Sequence, residues 1–119
     1  MRRCILVVDD DSMNLVRTKM ILGKYYDVFF AESGDEALDK LKSEKIDLVL
    51  LDIEMPKMNG IETFERMKDI PVDIPVIFLT ASGDEEDVKN AIKLGAVNYL
   101  KKPFLPQELM RRVAKEFES

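Results

Sequence analysis

Acidic, hydroxyl and basic side chains stand at the ends of apolar runs in this sequence. Asp9 and Asp10 follow residues 4–8, Asp52 follows 46–51, Thr80 follows 75–79, and Lys101 and Lys102 follow 96–100. If these runs are parallel strands, their carboxyl ends share one edge, and ligands of open parallel sheets sit in the crevice outside that edge. Asp9 and Asp10 would face opposite ways inside a strand, but at the exit turn both are usable. Three carboxylates gathered at one place repel, which makes ionising all of them costly unless a cation sits among them. A hard divalent ion such as Mg²⁺ answers this, since it prefers oxygen ligands, keeps waters and is completed by substrate phosphate. The chemistry implied is attack by the Asp52 carboxylate on a phosphoryl group. Mg²⁺ and the Lys102 ammonium would neutralise charge on the transferring oxygens, and Thr80 would donate a hydrogen bond to them.

The elements that must position these groups can be read from the pattern. Residues 4–8, 27–31, 46–51, 75–79 and 96–100 are apolar and rich in β-branched side chains, which predicts five strands. Helix-like segments separate them. Ser33 and Glu36 have capping-box spacing ahead of Ala37, Leu38 and Leu41, and Ser82 and Glu85 repeat it ahead of Val88, Ala91 and Ile92. Gly23 and Gly95 fall at expected helix ends, while Pro56, Pro71, Pro75 and Pro103 punctuate loops or strand starts. The last segment places Leu109, Val113 and Phe117 at helical spacing; Pro106 suits its first turn, but Leu105 before it offers no capping oxygen. Strands alternating with helices imply βαβ crossovers, and nearly all-apolar strands imply a parallel sheet covered on both faces. The expected fold is α/β, a doubly wound (βα)₅ three-layer sandwich in one domain over residues 1–119.

Composition excludes several classes. At 119 residues the chain is too short for two cores, and no apolar run approaches bilayer length. No export signal is visible at the N-terminus. A lone cysteine, Cys4, has no internal disulfide partner and reads as a small buried hydrophobe, which together with the missing signal suits the cytoplasm. The net charge of −5 provides no broad basic field for nucleic acid backbone. There is no histidine, which removes Ser/His and Cys/His nucleophile pairs and the usual zinc sets. Any phosphohistidine must come from a partner.

The segments VVDDD (7–11), LLDIEMPKMNG (50–60), FLTA (78–81) and YLKKPF (99–104), in this order and spacing, resemble the receiver domains of two-component response regulators, the chemotaxis receivers among them. The likeness spans nearly the whole chain. It implies a flavodoxin-like sheet of strand order 2-1-3-4-5 and a phosphoacceptor signalling module rather than a turnover enzyme. By this resemblance Asp52 is the phosphorylated residue. Asp9, Asp10, Asp52 and the backbone carbonyl of Glu54 hold Mg²⁺ or Mn²⁺. Thr80, the backbone of Ala81, Lys102 and Tyr99 bind the phosphoryl group or switch with it, Tyr99 turning inward as Thr80 is drawn to the phosphate. Glu54 and Ser82 tune phosphoaspartate lifetime, and Lys102 precedes a cis bond to Pro103. Asn59 stands where the family commonly shows Asp, and Leu105 where it commonly shows a capping Asp or Ser. The implied partners are a sensor histidine kinase or histidine phosphotransfer protein. An effector, or a second copy on activation, would meet the face made by helix 4, strand 5 and helix 5.

Simpler roles weigh against some of these residues. Asp11 reads as a solvated helix-start acid that favours the helix dipole, and Lys101 as a surface lysine. Tyr99 is equally a half-buried strand aromatic, and both roles can hold together. The charges of Glu85, Glu86, Lys89 and Lys93 suit a wet helix face. Two rivals use similar parts. A haloacid-dehalogenase-type phosphohydrolase would place Asp two residues after its nucleophile, where Glu54 stands, and would carry its acidic pair afterwards. A pseudo-receiver that binds proteins without phosphorylation would lack part of the acidic pair, the acceptor or the lysine, all of which are present. A nucleotide-binding half-domain would need a glycine-rich turn after the first strand, and residues 10–14 contain no glycine.

Overall fold

Period-two alternation divides every central strand between two apolar layers, and this division organises the molecule. The computed structural model describes residues 2–71, 73–81 and 85–118, with the backbone alone at 85, 87 and 88. The strands are β1 (Cys4–Val8), β2 (Asp27–Ala31), β3 (Leu48–Asp52), β4 (Val76–Thr80) and β5 (Asn98–Lys101), all parallel in the order β2-β1-β3-β4-β5. The helices between and after them are α1 (Ser12–Leu22), α2 (Gly34–Ser43), α3 (Gly60–Met67), α4 (Glu85–Lys93) and α5 (Pro106–Phe117). The fold and strand order are those expected.

Ile5 and Val7, Leu48 and Leu50, Ile77 and Leu79, and Leu100 point to one side, where Leu15 and Leu22 of α1 and Leu109 and Val113 of α5 cover them. Leu6 and Val8, Val49 and Leu51, and Val76 and Phe78 point to the other, against Ala37 and Leu41 of α2, Phe64 and Met67 of α3, and Ala91 of α4. A fully buried leucine or isoleucine on either face contributes roughly 2 kcal/mol or more by leaving water. Phe64 meets Phe78 edge-on at 5.4 Å between ring centroids. No helix among the described residues is long and apolar enough to cross a membrane.

Helix starts follow local chemistry. Asp11 caps α1, accepting from the Met13 N–H at 2.9 Å, and Ser33 caps α2, accepting from the Glu36 N–H at 3.1 Å. The Ser82–Glu85 signature lies outside the described residues. At α3 a reciprocal capping box joins Asn59 and Glu62, so the Asn that departs from the family's usual Asp serves as the helix cap. Helix α5 begins at Pro106 with no side-chain cap, as Leu105 predicts. Gly95 follows α4 with φ +104°, whereas Gly23 closes α1 with an ordinary right-handed φ of −64°.

Strand limits move by one or two residues from those expected. β3 starts at Leu48; just before it the Asp47 N–H is donated to Cys4 O at 2.8 Å, while the Asp47 side chain, in place of a strand carbonyl, accepts from the Cys4 N–H at 2.8 Å. β5 starts at Asn98 because the Ala96 N–H is still donated to Ala91 O at 3.0 Å, closing α4. The amino edge of the sheet is tied down further by Arg2, which donates to Gly23 O and, at 2.8 Å, to Tyr26 O, and lies 3.6 Å from Asp27. Cys4 is half-buried beside the α2–α4 layer, and burial together with nearby acids raises its thiol pKa, so it is a packing residue rather than a reactive one.

Candidate functional site at the carboxyl edge

The alternation that builds the core also selects the site. Asp9 continues the parity of Ile5 and Val7, Asp52 that of Leu48 and Leu50, and Lys102 that of Leu100, so all three lean to the α1/α5 side of the carboxyl edge. Each leaves the sheet at its last rung. The Asp9 N–H is donated to Ala31 O at 3.0 Å, the Ile53 N–H to Leu79 O at 3.0 Å, and the Lys102 N–H to Thr80 O at 2.7 Å.

The three side chains meet. Lys102 Nζ lies 2.8 Å from Asp9 Oδ2 and 3.4 Å from Asp52 Oδ1. Asp9 Oδ1 accepts from the Asp11 N–H at 3.0 Å, which fixes the carboxylate while its other oxygen faces the lysine. Asp10 is exposed and Asp9 is buried, as the exit turn allows for adjacent residues. The Lys102–Pro103 bond is cis, as expected.

One ammonium stands against three carboxylates, and Asp52 bears the imbalance. It is 3% exposed, and its Oδ1 makes no hydrogen bond among the described residues, the Lys102 ammonium being at ion-pair distance only. Burial is the chief force on its pKa. Lys102 pulls it down, but Asp9 and Glu54 push up again, and the carboxyl stands at about 7. Burial also favours the neutral amine of Lys102, yet its hydrogen bond to Asp9 and the charges of Asp52 and Asp9 outweigh that and hold its pKa above the ordinary lysine value.

Asp9, Asp10 and Asp52 each offer one carboxylate oxygen, and these lie within 4.8 Å of one another. An all-oxygen set of this charge, with one buried oxygen short of a partner, fits a hard divalent cation. Beside it a cleft of about 360 Å³ is lined by Asp9, Asn14, Arg17, Thr18, Ala81 and Lys102, among others.

The remaining expected residues fall around this centre. Thr80 is buried at the end of β4, and Ala81 follows it. Glu54 lies in the loop after β3 and reaches both: the Thr80 hydroxyl donates to Glu54 Oε1 at 3.0 Å, and the Ala81 N–H donates to Glu54 Oε2 at 3.2 Å. The resemblance put Glu54 at the site but gave no sign of this contact. Tyr99 lies on β5 and is 38% exposed, its side chain on the solvent side. Ser82 lies outside the described residues. Gly60, in the sequence only one letter of a longer motif, is a close-packed position beside the site. A Cβ there would stand 2.2 Å from Asp52 O and 2.8 Å from Ile53 Cα, so α3 starts in direct contact with the backbone of the central aspartate.

Comparison with known proteins agrees with this geometry. The family model of the response regulator receiver domain matches residues 5–114. The transcriptional regulatory protein CrdR of Helicobacter pylori is 42% identical over 119 residues, covering 98% of this chain and 56% of the relative. The alkaline phosphatase synthesis transcriptional regulatory protein PhoP of Bacillus subtilis is 40% identical over 114 residues, covering 95% and 48%. The crystal structure of a CheY-like response regulator receiver domain protein from Methanospirillum hungatei superposes with a TM-score of 0.92 at 32% identity, covering 98% of this chain and 94% of that one. The chain spans about half the length of the curated relatives it matches. Sheet order, the acidic cluster at the carboxyl edge and the family match thus converge, and the chain belongs to the response regulator receiver domain family.

Proposed function

We propose that residues 1–119 form one receiver domain that accepts a phosphoryl group on Asp52. Receiver domains generally bind Mg²⁺, and accepting a phosphoryl group is the family's general function. The finer assignment rests chiefly on one observation: a buried aspartate with an oxygen short of hydrogen bonds, facing an ammonium shared with a second buried aspartate. A carboxylate so placed is desolvated yet not neutralised by a close partner, which suits a nucleophile.

Asp9, Asp10, Asp52 and the carbonyl of Glu54 would hold Mg²⁺ or Mn²⁺. When bound, the ion supplies positive charge to the transferring oxygens and keeps Asp52 ionised at neutral pH. The Asp52 carboxylate attacks phosphorus, the bond from phosphorus to the donor's nitrogen or oxygen breaks, and the donor leaves with that electron pair. Lys102 is held by Asp9 within reach of the new acyl phosphate. The Thr80 hydroxyl and the Ala81 N–H are hydrogen-bond donors for its oxygens. The cleft beside α1 offers room for the departing group.

The donor is a sensor histidine kinase, a histidine phosphotransfer protein or a small phosphodonor; this chain has no histidine, so any phosphohistidine belongs to the partner. The domain is a cytoplasmic signalling receiver rather than a turnover enzyme. Movement of Thr80 toward the phosphoryl group, with Tyr99 turning inward, carries the signal to the α4–β5–α5 face, where an effector or a second copy engages. Ser82 and Glu54 set the lifetime of the phosphoaspartate.

Intact mass after incubation with acetyl phosphate and Mg²⁺ tests the acceptor. One hydroxylamine-labile phosphoryl adduct is expected in the wild type and none in Asp52→Ala or without the metal. An adduct that survives in Asp52→Ala refutes the choice of carboxylate. A Thr80→Ala protein that still changes its partner affinity fully on phosphorylation refutes the switch.

A further inference from the structure

The two donors that would meet a phosphoryl group on Asp52 are already engaged. Thr80 Oγ1 and the Ala81 N–H each donate to a different oxygen of the same carboxylate, that of Glu54, at 3.0 and 3.2 Å. The arrangement has the form of an anion in a two-pronged site, because the donors sit side by side at the end of β4 and one planar group spans both. Hydrogen bonds to an ionised carboxylate are roughly twice as strong as neutral ones.

We propose that the Glu54 carboxylate is a built-in occupant of the phosphoryl-oxygen site, an internal anion that holds Thr80 and Ala81 in the resting state and that the incoming phosphoryl group must expel. The proposal rests on the reading of Thr80 and Ala81 as phosphoryl contacts and adds a resting-state competitor to it. Expulsion has a driving force. Glu54 is near enough for its charge to be felt at Asp52, so a phosphoryl group there would repel the carboxylate toward solvent. Thr80 and Ala81 then pass from one anion to another without an interval in which either loses its acceptor. Tyr99 standing outward accords with a Thr80 held in its resting position.

The resting contact is read in unphosphorylated, Mg²⁺-free protein by nuclear magnetic resonance. The Ala81 amide proton should move upfield in Glu54→Ala relative to wild type and lie between the two in Glu54→Gln. The displacement is read by titrating fluoroberyllate, which occupies the phosphoryl position on the acceptor, in the presence of Mg²⁺. Binding should tighten on the order of tenfold in Glu54→Ala, the size of one charge-assisted hydrogen bond. In a Thr80→Val background the same substitution should gain distinctly less.

An Ala81 amide proton unmoved by Glu54→Ala overturns the proposal. Equal fluoroberyllate affinity in wild type and Glu54→Ala does the same, as does a full gain in the Thr80→Val background, which would mean that Glu54 acts through charge alone. Failure of fluoroberyllate to bind either protein overturns the phosphoacceptor reading, and the proposal with it.

Discussion

The two ends of the sheet treat their polar groups in opposite ways. At the amino edge, Asp47 accepts from the Cys4 N–H, and Arg2 serves two carbonyls beside Asp27. Each charge there closes the fold and remains in contact with water. At the carboxyl edge, Asp9 and Asp52 are buried around one lysine, and Asp52 is left with an oxygen that no hydrogen bond from the described residues reaches. Stability is thus gathered at one end and withheld at the other, where, on the function proposed above, a cation and a phosphoryl group would supply what is missing.

Removing the shared cation should break the comparison most forcefully. Lys102→Met leaves two buried carboxylates with no counter-charge, and we expect a loss of about 3 kcal/mol at pH 8 in metal-free buffer. The loss should shrink at pH 5, where the Asp52 carboxyl, at about 7, is protonated. Urea midpoints at the two pH values check this, and an equal loss at both would mean the lysine matters only for packing.

The converse substitution should stabilise. The folded pKa of Asp52 is raised from 3.8 to about 7, so between those values the native state binds more protons than the unfolded chain. Metal-free stability therefore falls as pH rises from about 4 to about 7 and levels off above. Asp52→Asn escapes this and should gain on the order of 2 kcal/mol at pH 8 and almost nothing at pH 4. With no histidine in the chain, no imidazole titrates across this window. Denaturant curves with and without Mg²⁺ provide the measurement; a gain that persists undiminished at saturating Mg²⁺ would contradict the assignment of Asp52 as a ligand.

The smallest effect belongs to the amino edge. Asp47→Ala removes one acceptor from a backbone N–H and should cost about 1 kcal/mol, while leaving the yield of phosphoryl adduct unchanged. A change in that yield would mean that the two edges are not separate.

Much of this division was legible in the residues. Apolar runs ending in Asp, Thr or Lys announced both the strands and the edge on which their polar groups collect, and parity alone puts Asp9, Asp52 and Lys102 on one side. The limits of β3 and β5 were not legible to the residue, because they depend on where Asp47 and the Ala96 N–H find partners. The Asn59–Glu62 box was readable by the rule that located Ser33 and Glu36, but its residues were absorbed into a longer motif. The hold of Glu54 on Thr80 and Ala81 had no signature at all. It depends on side-chain torsions in a loop, and spacing carries no information about those.

The loop between Asp52 and α3 is pinched at its base. The Gly60 N–H is donated to Ile53 O at 2.9 Å, and the missing Cβ lets the two backbones touch. Residues 54–59 are therefore an excursion between two anchored points, and Lys57, with φ +67°, is bent into the left-handed region so that they can turn back. Mechanically, the knot shields the strand from the exposed turn at residues 56 and 57. Length and composition can drift in the outer part of the loop without tugging on the strand, whereas a single methyl at Gly60 would lever the central aspartate out of register.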